Sequence, residues 1–501
     1  MLPLLISSQI READAYTIAN EPIASIDLME RAAKAFVGWF INHFQDHKQK
    51  IAIYCGMGNN GGDGLAIARM LRDHHYLDID VKIASFSSKS SDDFNTNLHR
   101  LIPSGVNIHE IKPGEDLTEE TSTIIIDALL GTGLNKPLSG DYERLVNYLN
   151  SLHKTIVAVD VPTGFFSEGV TDPDAPVLKA DLVITFQQPK INFLLPESGP
   201  YIHCWEAVNI GINEHFIRSL NSPYQLVEEK DIRKRLKPRQ RFSNKGTYGH
   251  TLIIAGQPET MGAALLCSSA CAHAGSGLTT ACIPQSGLIA LNSSHPEVMA
   301  ILRNADEETE IEWEKFSAIA IGPGLGQDKS VLDLLITLLK TYDKPIVLDA
   351  DALNLLSIHF GLWRYVPKGS IVTPHLKEFD RLFGEHTSWW RRLQTASEMA
   401  QEHSVYIVLK NAYTITITPD GKLFFNSTSN AAMASGGMGD VLTGVLAALL
   451  SQKYSPEDAC IIGNYIHGKA GDELALPNRM HVVLPGKLIT QLPVTIAKLM
   501  A

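Results

Sequence analysis

Two glycine-rich runs, each ending on or carrying an acid, are where this sequence could do chemistry. The first is Gly56-Met-Gly-Asn-Asn-Gly-Gly-Asp-Gly64, placed after the apolar run Ile51–Cys55 and before a helical pattern. Glycines there let backbone N–H groups approach a phosphate at a helix N-terminus. Asn59, Asn60 and Asp63 add amide oxygens and a carboxylate, donors that suit a hard cation as well as a ligand. The run contains G-x-G-x-x-G at Gly56, Gly58 and Gly61, but the dinucleotide fingerprint also needs an acid ending the next strand. That strand ends Ala84-Ser85-Phe86, so the ordinary fingerprint fails. Two further acids end apolar runs: Asp127 before Ala-Leu-Leu-Gly-Thr-Gly133, and Asp160 before Val-Pro-Thr-Gly164. Each alone reads as a helix cap or Asx-turn. Together they predict three loops converging at the carboxyl ends of parallel strands, where open α/β sheets bind ligands.

The second run, Asn430-Ala-Ala-Met-Ala-Ser-Gly-Gly-Met-Gly-Asp440, leads directly into the apolar helix pattern Val441–Leu450. Gly436, Gly437 and Gly439 would present N–H groups at a helix N-terminus, which suits negative charge developing on a transferring phosphoryl group. Asp440, in the first turn, is placed to take a proton from a substrate hydroxyl. The plainer reading is a glycine loop whose acid favours the helix dipole. More small residues precede the acid than a cap requires.

The elements that must position these residues alternate. The spacing of Ile26, Leu28, Met29, Ala32, Ala33 and Phe36 predicts a helix over 22–43. Strands are expected at Ile51–Cys55, Ile79–Phe86, Thr123–Asp127, Thr155–Asp160 and Ala180–Phe186, with a helix at about 63–74 after the first glycine run. Strand–loop–helix alternation indicates a parallel sheet covered on both faces. Residues 221–246 change character, with eleven charged residues between Glu228 and Lys245, and read as a linker or solvated helix. The alternation then resumes, with strands expected at Thr251–Ala255, Leu278–Ile283, Ala318–Ile321, Ile346–Leu348, Ser370–Thr373, Val405–Leu409 and Tyr413–Thr418. No sequence repeat is visible.

Composition limits the classes. With 501 residues, 45% hydrophobic and 20% charged, the chain is globular, and its length alone would allow about three domains. A net charge of −12 offers no general attraction for polyanions, so nucleic-acid binding is not expected. The six cysteines are too sparse for a disulfide scaffold and form no C-x-x-C, so they read as buried thiols in a reducing compartment. Met1–Ile6 lacks a basic leader, and no apolar run reaches membrane-spanning length. A cytoplasmic protein with no membrane partner is expected.

Residues 1–220 resemble the YjeF N-terminal family, the NAD(P)HX epimerase domain. The matching pieces are Arg11-Glu-Ala-Asp-Ala, Leu28-Met-Glu-Arg-Ala-Ala, the 56–64 loop, Asp127-Ala-Leu-Leu-Gly-Thr-Gly, Asp160-Val-Pro-Thr-Gly and Pro189-Lys190. The resemblance implies a Rossmann-like three-layer α/β/α sandwich and a bound potassium ion. Its ligands would be Asn60, Asp127 and Thr163, the last standing where the family usually has serine. The hydrated nucleotide would meet Asn59, Asn60, Gly61, Gly62 and Asp63 and the loop Gly131, Thr132, Gly133, Leu134, Asn135, Lys136 and Pro137. Asp160 would be the acid nearest the chemistry.

Residues 226–501 resemble the ADP/ATP-dependent NAD(P)HX dehydratase, a ribokinase-like α/β fold. The match includes Asn244-Lys-Gly-Thr-Tyr-Gly-His, Gly322-Pro-Gly-Leu-Gly326, Asp349-Ala-Asp-Ala-Leu-Asn354, Thr373-Pro-His375, Lys410-Asn-Ala-Tyr-Thr414 and Gly436-Gly-Met-Gly-Asp440. It implies that Ala263, Gly326, His375 and Asp440 meet the hydrated nicotinamide. ADP or ATP would lie along Lys410, Asn411, Ala412, Tyr413 and Thr414 and at Gly436, Gly437 and Gly439, with Mg²⁺ beside its phosphates. Lys377 replaces a glycine common in the family, and Ser429, Ala432 and Ser435 occupy variable places, so loop details differ while the acid and glycines remain.

The two resemblances imply one bifunctional enzyme. One half would interconvert the R and S epimers of NADHX and NADPHX. The other would dehydrate the S form with ADP or ATP as phosphoryl donor. A homo-oligomer is expected. Two rivals stand beside this reading: a ribokinase-like alcohol kinase, which would not need the first glycine domain, and a nucleotide-binding scaffold with a decayed site, which the intact acids oppose.

Overall fold

The computed structural model describes residues 1–134, 136–304 and 309–501. The chain divides into two compact units: Pro3–Ser222 with Ser388–Trp390, and Met1–Leu2 with Pro223–Thr387 and Arg391–Ala501.

The N-terminal unit follows from its apolar runs. After β1 (Leu2–Pro3), which lies at the edge of the other unit's sheet, come β2 (Ile51–Cys55), β3 (Ile79–Ala84), β4 (Asn107–Ile111), β5 (Ile124–Ala128), β6 (Thr155–Val159), β7 (Ala180–Phe186) and β8 (Ile202–Val208). They form one sheet in the order β4-β3-β2-β5-β6-β7-β8, with every neighbouring pair parallel. β2 and β5 are buried at every position, as strands covered on both faces must be. The chain leaves β2 in one direction and returns at β5 in the other. The crevice between those two strand ends is therefore the topological switch point. The 56–64 and 128–133 loops begin there.

Three sequence expectations change. The helix expected over 22–43 begins at Ser25, and a separate helix α1 (Ser7–Asn20) precedes it; the second is α2 (Ser25–His43). α1 buries only Ser7, Ala13 and Thr17, a set with no apolar stripe to announce it. The helix expected at about 63 starts four residues earlier, as α3 (Asn59–Asp73) with Gly58 as its N-cap. Its glycines are packing residues: a Cβ on Gly61 would lie 1.7 Å from the Gly56 carbonyl oxygen, and one on Gly64 would lie 2.6 Å from Ala128 Cβ. The edge strands β4 and β8 show only scattered burial, so neither forms an apolar run.

The C-terminal unit holds an eleven-stranded sheet of order β1-β9-β18-β17-β16-β15-β14-β13-β10-β11-β12. Its strands are β9 (Tyr224–Val227), β10 (His250–Ile254), β11 (Leu278–Pro284), β12 (Met299–Arg303), β13 (Ala318–Ile321), β14 (Ile346–Leu348), β15 (Ile371–Val372), β16 (Tyr406–Leu409), β17 (Ile415–Ile417) and β18 (Leu423–Asn426). From β12 to β16 all pairs are parallel, and β16-β17-β18 is an antiparallel meander. The parallel part repeats the N-terminal strand order without any sequence repeat. Its switch point lies between β10 and β13. The stretch read as a linker at 221–246 supplies β9, paired with β18, and the helix Glu229–Arg235, whose Ile232 is buried.

Four helices carry the second site. They are α4 (Met261–His273), α5 (Ala350–Ile358), α6 (Leu376–Phe383) and α7 (Met438–Ser451). α7 is buried from Val441 to Ser451 without a break. That burial fixes the direction of its N-terminus, and with it Asp440. No helix among the described residues is long and apolar enough to cross a membrane.

Candidate functional site

At the N-terminal switch point the structure forms a cavity of about 550 Å³, within the usual range for small-molecule sites. Asn59, Asn60, Asp63, Gly131, Thr132, Gly133, Leu134 and Asp160 line it. Gly61 and Gly62 are buried inside α3, Lys136 and Pro137 are exposed away from the lining, and Asn135 lies outside the described residues.

Asp127 and Thr163 are hydrogen-bonded to each other below the 128–131 loop, and Asn60 packs against Gly131 of that same loop. Asp127 is fully buried. Thr163 donates to it twice, from its N–H (2.8 Å) and its hydroxyl (2.7 Å), and Thr163 Oγ1 accepts from the Leu130 N–H at 3.0 Å. Burial pushes the Asp127 carboxyl up to about 6 even though these bonds and the Leu129 N–H favour its charged form. Asn60 is buried under Gly131, and its Nδ2 has no hydrogen-bond partner. Turning that amide over puts its oxygen in the same place.

Asp160 sits at φ +65°, a backbone state rare for a non-glycine residue. Its Oδ1 accepts from Thr185 Oγ1 (3.1 Å), Phe186 N–H (2.9 Å) and Lys190 Nζ (2.7 Å). Lys190 is 2% exposed, so this is a buried ion pair. Asp14 and Lys190 also line the cavity, and neither is marked as functional by type or spacing in the sequence. Burial drives Asp14 up to about 6, with Lys190 opposing and Asp160 reinforcing. Burial together with Asp160, Asp93 and Asp14 raises Asp63 well above the ordinary range.

In the C-terminal unit the predicted residues gather at the carboxyl ends of β10 and of β13 to β16. Gly437, at φ +92°, caps α7, and a Cβ on it would lie 2.6 Å from Leu266. Asp349, 2% exposed at the end of β14, accepts from Lys410 Nζ at 2.7 Å and from Thr443 Oγ1 at 2.6 Å. A Cβ on Gly439 would stand 3.3 Å from Lys410 Nζ, so the glycine admits this ion pair beside the helix start. Asp440 is pushed up to about 6, by burial first and then by Asp349, with Lys410 opposing. His375 is the N-cap of α6, its Nδ1 accepting from the Lys377 and Glu378 N–H groups. Gly326 N–H donates to Asp351 at 2.8 Å, and Gly324 packs against Ala263. Lys410 N–H donates to the Pro374 carbonyl, tying the 410–414 loop to the loop carrying His375. Both amide atoms of Asn411 are buried without partners. His467 is held neutral by burial, its pKa pushed down to about 4, with Nε2 3.1 Å from the Met438 carbonyl oxygen. Asp349, Thr443 and His467 belong to this cluster through the fold; of them only Asp349, a strand-end acid, carries a sequence signal.

A profile described as YjeF-related protein N-terminus matches residues 25–192, and one described as NAD(P)H-hydrate dehydratase matches residues 251–494. Over 516 aligned residues the chain is 31% identical to the bifunctional NAD(P)H-hydrate repair enzyme of Moorella thermoacetica, covering 99% of this chain and 97% of that protein. The chain belongs to the bifunctional NAD(P)H-hydrate repair enzyme family. The Escherichia coli member is 32% identical, over 90% of this chain and 85% of its own. A solved structure of ADP/ATP-dependent NAD(P)H-hydrate dehydratase from Bacillus subtilis, co-crystallised with ATP/Mg²⁺, is 31% identical, covers 55% of this chain and 98% of its own, and superposes with a TM-score of 0.49. Within this repair-enzyme chain the cavity lies in the unit carrying the first profile, and the Asp440 cluster lies in the unit carrying the second.

Proposed function

We propose that this chain repairs hydrated NADH and NADPH by two reactions in two places: epimerisation of R- and S-NAD(P)HX at the N-terminal cavity, and ADP- or ATP-driven dehydration of the S form at the Asp440 cluster. The observation that carries the reading is family membership along nearly the whole chain, supported by a cavity lined with acids in one unit and by the Asp349–Lys410 pair beside the start of α7 in the other.

For dehydration, hydroxide is a poor leaving group and must be activated. Asp440, held near 6, takes the proton of the ring hydroxyl as that oxygen attacks the terminal phosphorus of the nucleotide. The O–P bond forms as the donor anhydride P–O bond breaks, and the N–H groups at Gly437 to Gly439 stabilise the charge on phosphorus. The C–O bond then breaks with its electrons leaving on phosphate, and loss of a proton from the neighbouring carbon restores the double bond. Ala263, Gly326 and His375 border the hydrated ring, and Lys410 to Thr414 with Gly436 hold the nucleotide. Asn411, with both amide atoms buried and unpaired, is the polar group there that most needs a partner. Mg²⁺ would arrive with the phosphates and neutralise their charge.

For the N-terminal site, Asn59 to Asp63 and Gly131 to Pro137 border the nucleotide. Potassium fits Asn60, Asp127 and Thr163. The set offers a carboxylate, a hydroxyl and an amide with an orphaned buried atom, and Asp127 is raised by burial that a cation would offset. The ion would supply positive charge that fixes the 128–133 and 160–164 loops. Asp160, committed to Lys190 and two other donors, stands beside the hydrated carbon.

The test uses the full chain on mixed epimers with ADP, Mg²⁺ and K⁺, following the near-ultraviolet absorbance of the reduced nicotinamide. Asp440→Asn should abolish recovery of both epimers. Asp160→Ala should leave a fast phase for the S form and slow the remainder to the uncatalysed rate. Unchanged traces for either variant would remove that residue from the mechanism.

A further inference from the structure

The N-terminal cavity holds three carboxyls, Asp14, Asp63 and Asp160, around one buried lysine. They are not equivalent. Asp160 gives Oδ1 to three donors and is an anchored anion. Asp63 stands on α3 among other acids, and burial with their charges favours its neutral form. Asp14, on α1, lines the cavity, whose wall also carries the apolar Leu5, Ile10, Ile210, Ile212 and Ile217. Lys190 and Asp160 are the charged groups that act on it most, and the Asp63 carboxyl interacts with it as well. Arg11, on its own helix, and Asp63, on α3, also line the cavity, and the helix Glu214–Ser219 brings only apolar Ile217 to the lining. Burial in this cavity, opposed by Lys190 and reinforced by Asp160, raises the carboxyl towards the range where it can give or take a proton.

We propose that Asp14 is the acid–base residue of the epimerisation and that the Asp160–Lys190 pair is its fixed electrostatic frame. The inference rests on the epimerase reading above. Hydration of an enamine places the hydroxyl on the carbon beside nitrogen, so the substrate is a hemiaminal. Ionised Asp14 takes the hydroxyl proton. The O–H electrons form C=O, the C–N bond breaks, and its electron pair goes to the ring nitrogen, where conjugation with the carboxamide spreads it. Asp14 returns the proton to that nitrogen. The aldehyde turns, the nitrogen adds to its other face, and the proton passes back through Asp14 to the new hydroxyl. No bond change is left over and no co-reactant is required. A single proton carrier on one wall serves both epimers because the carbonyl rotates rather than the enzyme.

The test is Asp14→Asn in the full chain, assayed for epimerisation of the hydrate between about pH 5 and about pH 8, with ADP-driven dehydration of the S form as the internal control. Loss of a positioned acid–base group predicts at least a roughly 100-fold slower epimerisation. Dehydration should be unchanged. The wild-type rate should fall on the acid side with a midpoint near 6, and that limb should be absent from Asp14→Asn and present in Asp14→Glu. An Asp14→Asn enzyme within about twofold of wild type, or one keeping the acid limb, overturns the proposal and leaves the epimerase reading standing. A wild-type chain that does not accelerate epimerisation at all overturns both.

Discussion

Asp440→Asn should make the folded protein more stable and the dehydratase nearly inactive. Burial and the Asp349 charge hold the Asp440 carboxyl at about 6, against an ordinary value of 3.8. Each tenfold change in proton affinity is worth about 1.4 kcal/mol, so the ionised form costs the folded state about 3 kcal/mol once the pH exceeds both values. The folded state binds this proton more tightly than the unfolded chain does. Wild-type stability from this group therefore rises as the pH falls through 6, and the penalty is gone below about pH 4. Asparagine has no such penalty at any pH. The gain should thus approach about 3 kcal/mol near pH 8 and shrink towards zero near pH 4, while dehydration falls at least about 100-fold. Pulse-labelling hydrogen exchange across a urea series, read on peptides from α7 and α4, isolates the C-terminal unit from the rest of the chain. A variant no more stable than wild type at neutral pH, or one whose gain is independent of pH, would refute the claim that Asp440 is held strained for proton transfer.

Three other perturbations probe the frame. Gly61→Ala forces a Cβ to within 1.7 Å of the Gly56 carbonyl oxygen; overpacking of this kind costs about 1–3 kcal/mol or more, so epimerisation should be lost while dehydration survives, seen by assaying both in one preparation. Thr163→Val removes the hydroxyl between Asp127 and Leu130 N–H and should destabilise the N-terminal unit by about 1–3 kcal/mol and abolish any potassium dependence of epimerisation; Thr163→Ser should restore both. Lys190→Met deletes the cation that lowers Asp14, so the acid midpoint of epimerisation should move above 6, and a midpoint that stays or falls would contradict the assigned electrostatics.

Most of the chemistry-bearing loops were legible in the sequence because glycines and acids at strand ends form compact local patterns. The 56–64 run and Asp127 fall at the two strands that flank the N-terminal switch point, Asp160 ends the next strand, β6, and the 436–440 run opens α7 after β18. What the pattern hides is whatever depends on packing between distant segments. Gly61 reads as a loop residue, yet it lies in α3, where the Gly56 carbonyl passes too close for a side chain. α1 buries serine, alanine and threonine, so neither the helix nor Asp14 upon it stands out. Lys190 is a catalytic-looking lysine only once Asp160 is found 2.7 Å away. The Lys410–Asp349 pair spans 61 residues, and Thr443 joins it from a third segment. Strand β9 is masked by the charged stretch that follows it, since its four residues show no alternation of their own.

The most direct measurement takes the purified chain, a mixture of both epimers of hydrated NADH, ADP, Mg²⁺ and K⁺, and follows reduced nicotinamide by absorbance together with AMP and phosphate by chromatography. The two-site reading predicts recovery of both epimers, with one AMP and one phosphate released for each NADH regained. Recovery confined to half of the hydrate, no recovery at all, or a stable phosphorylated nucleotide in place of NADH would contradict it.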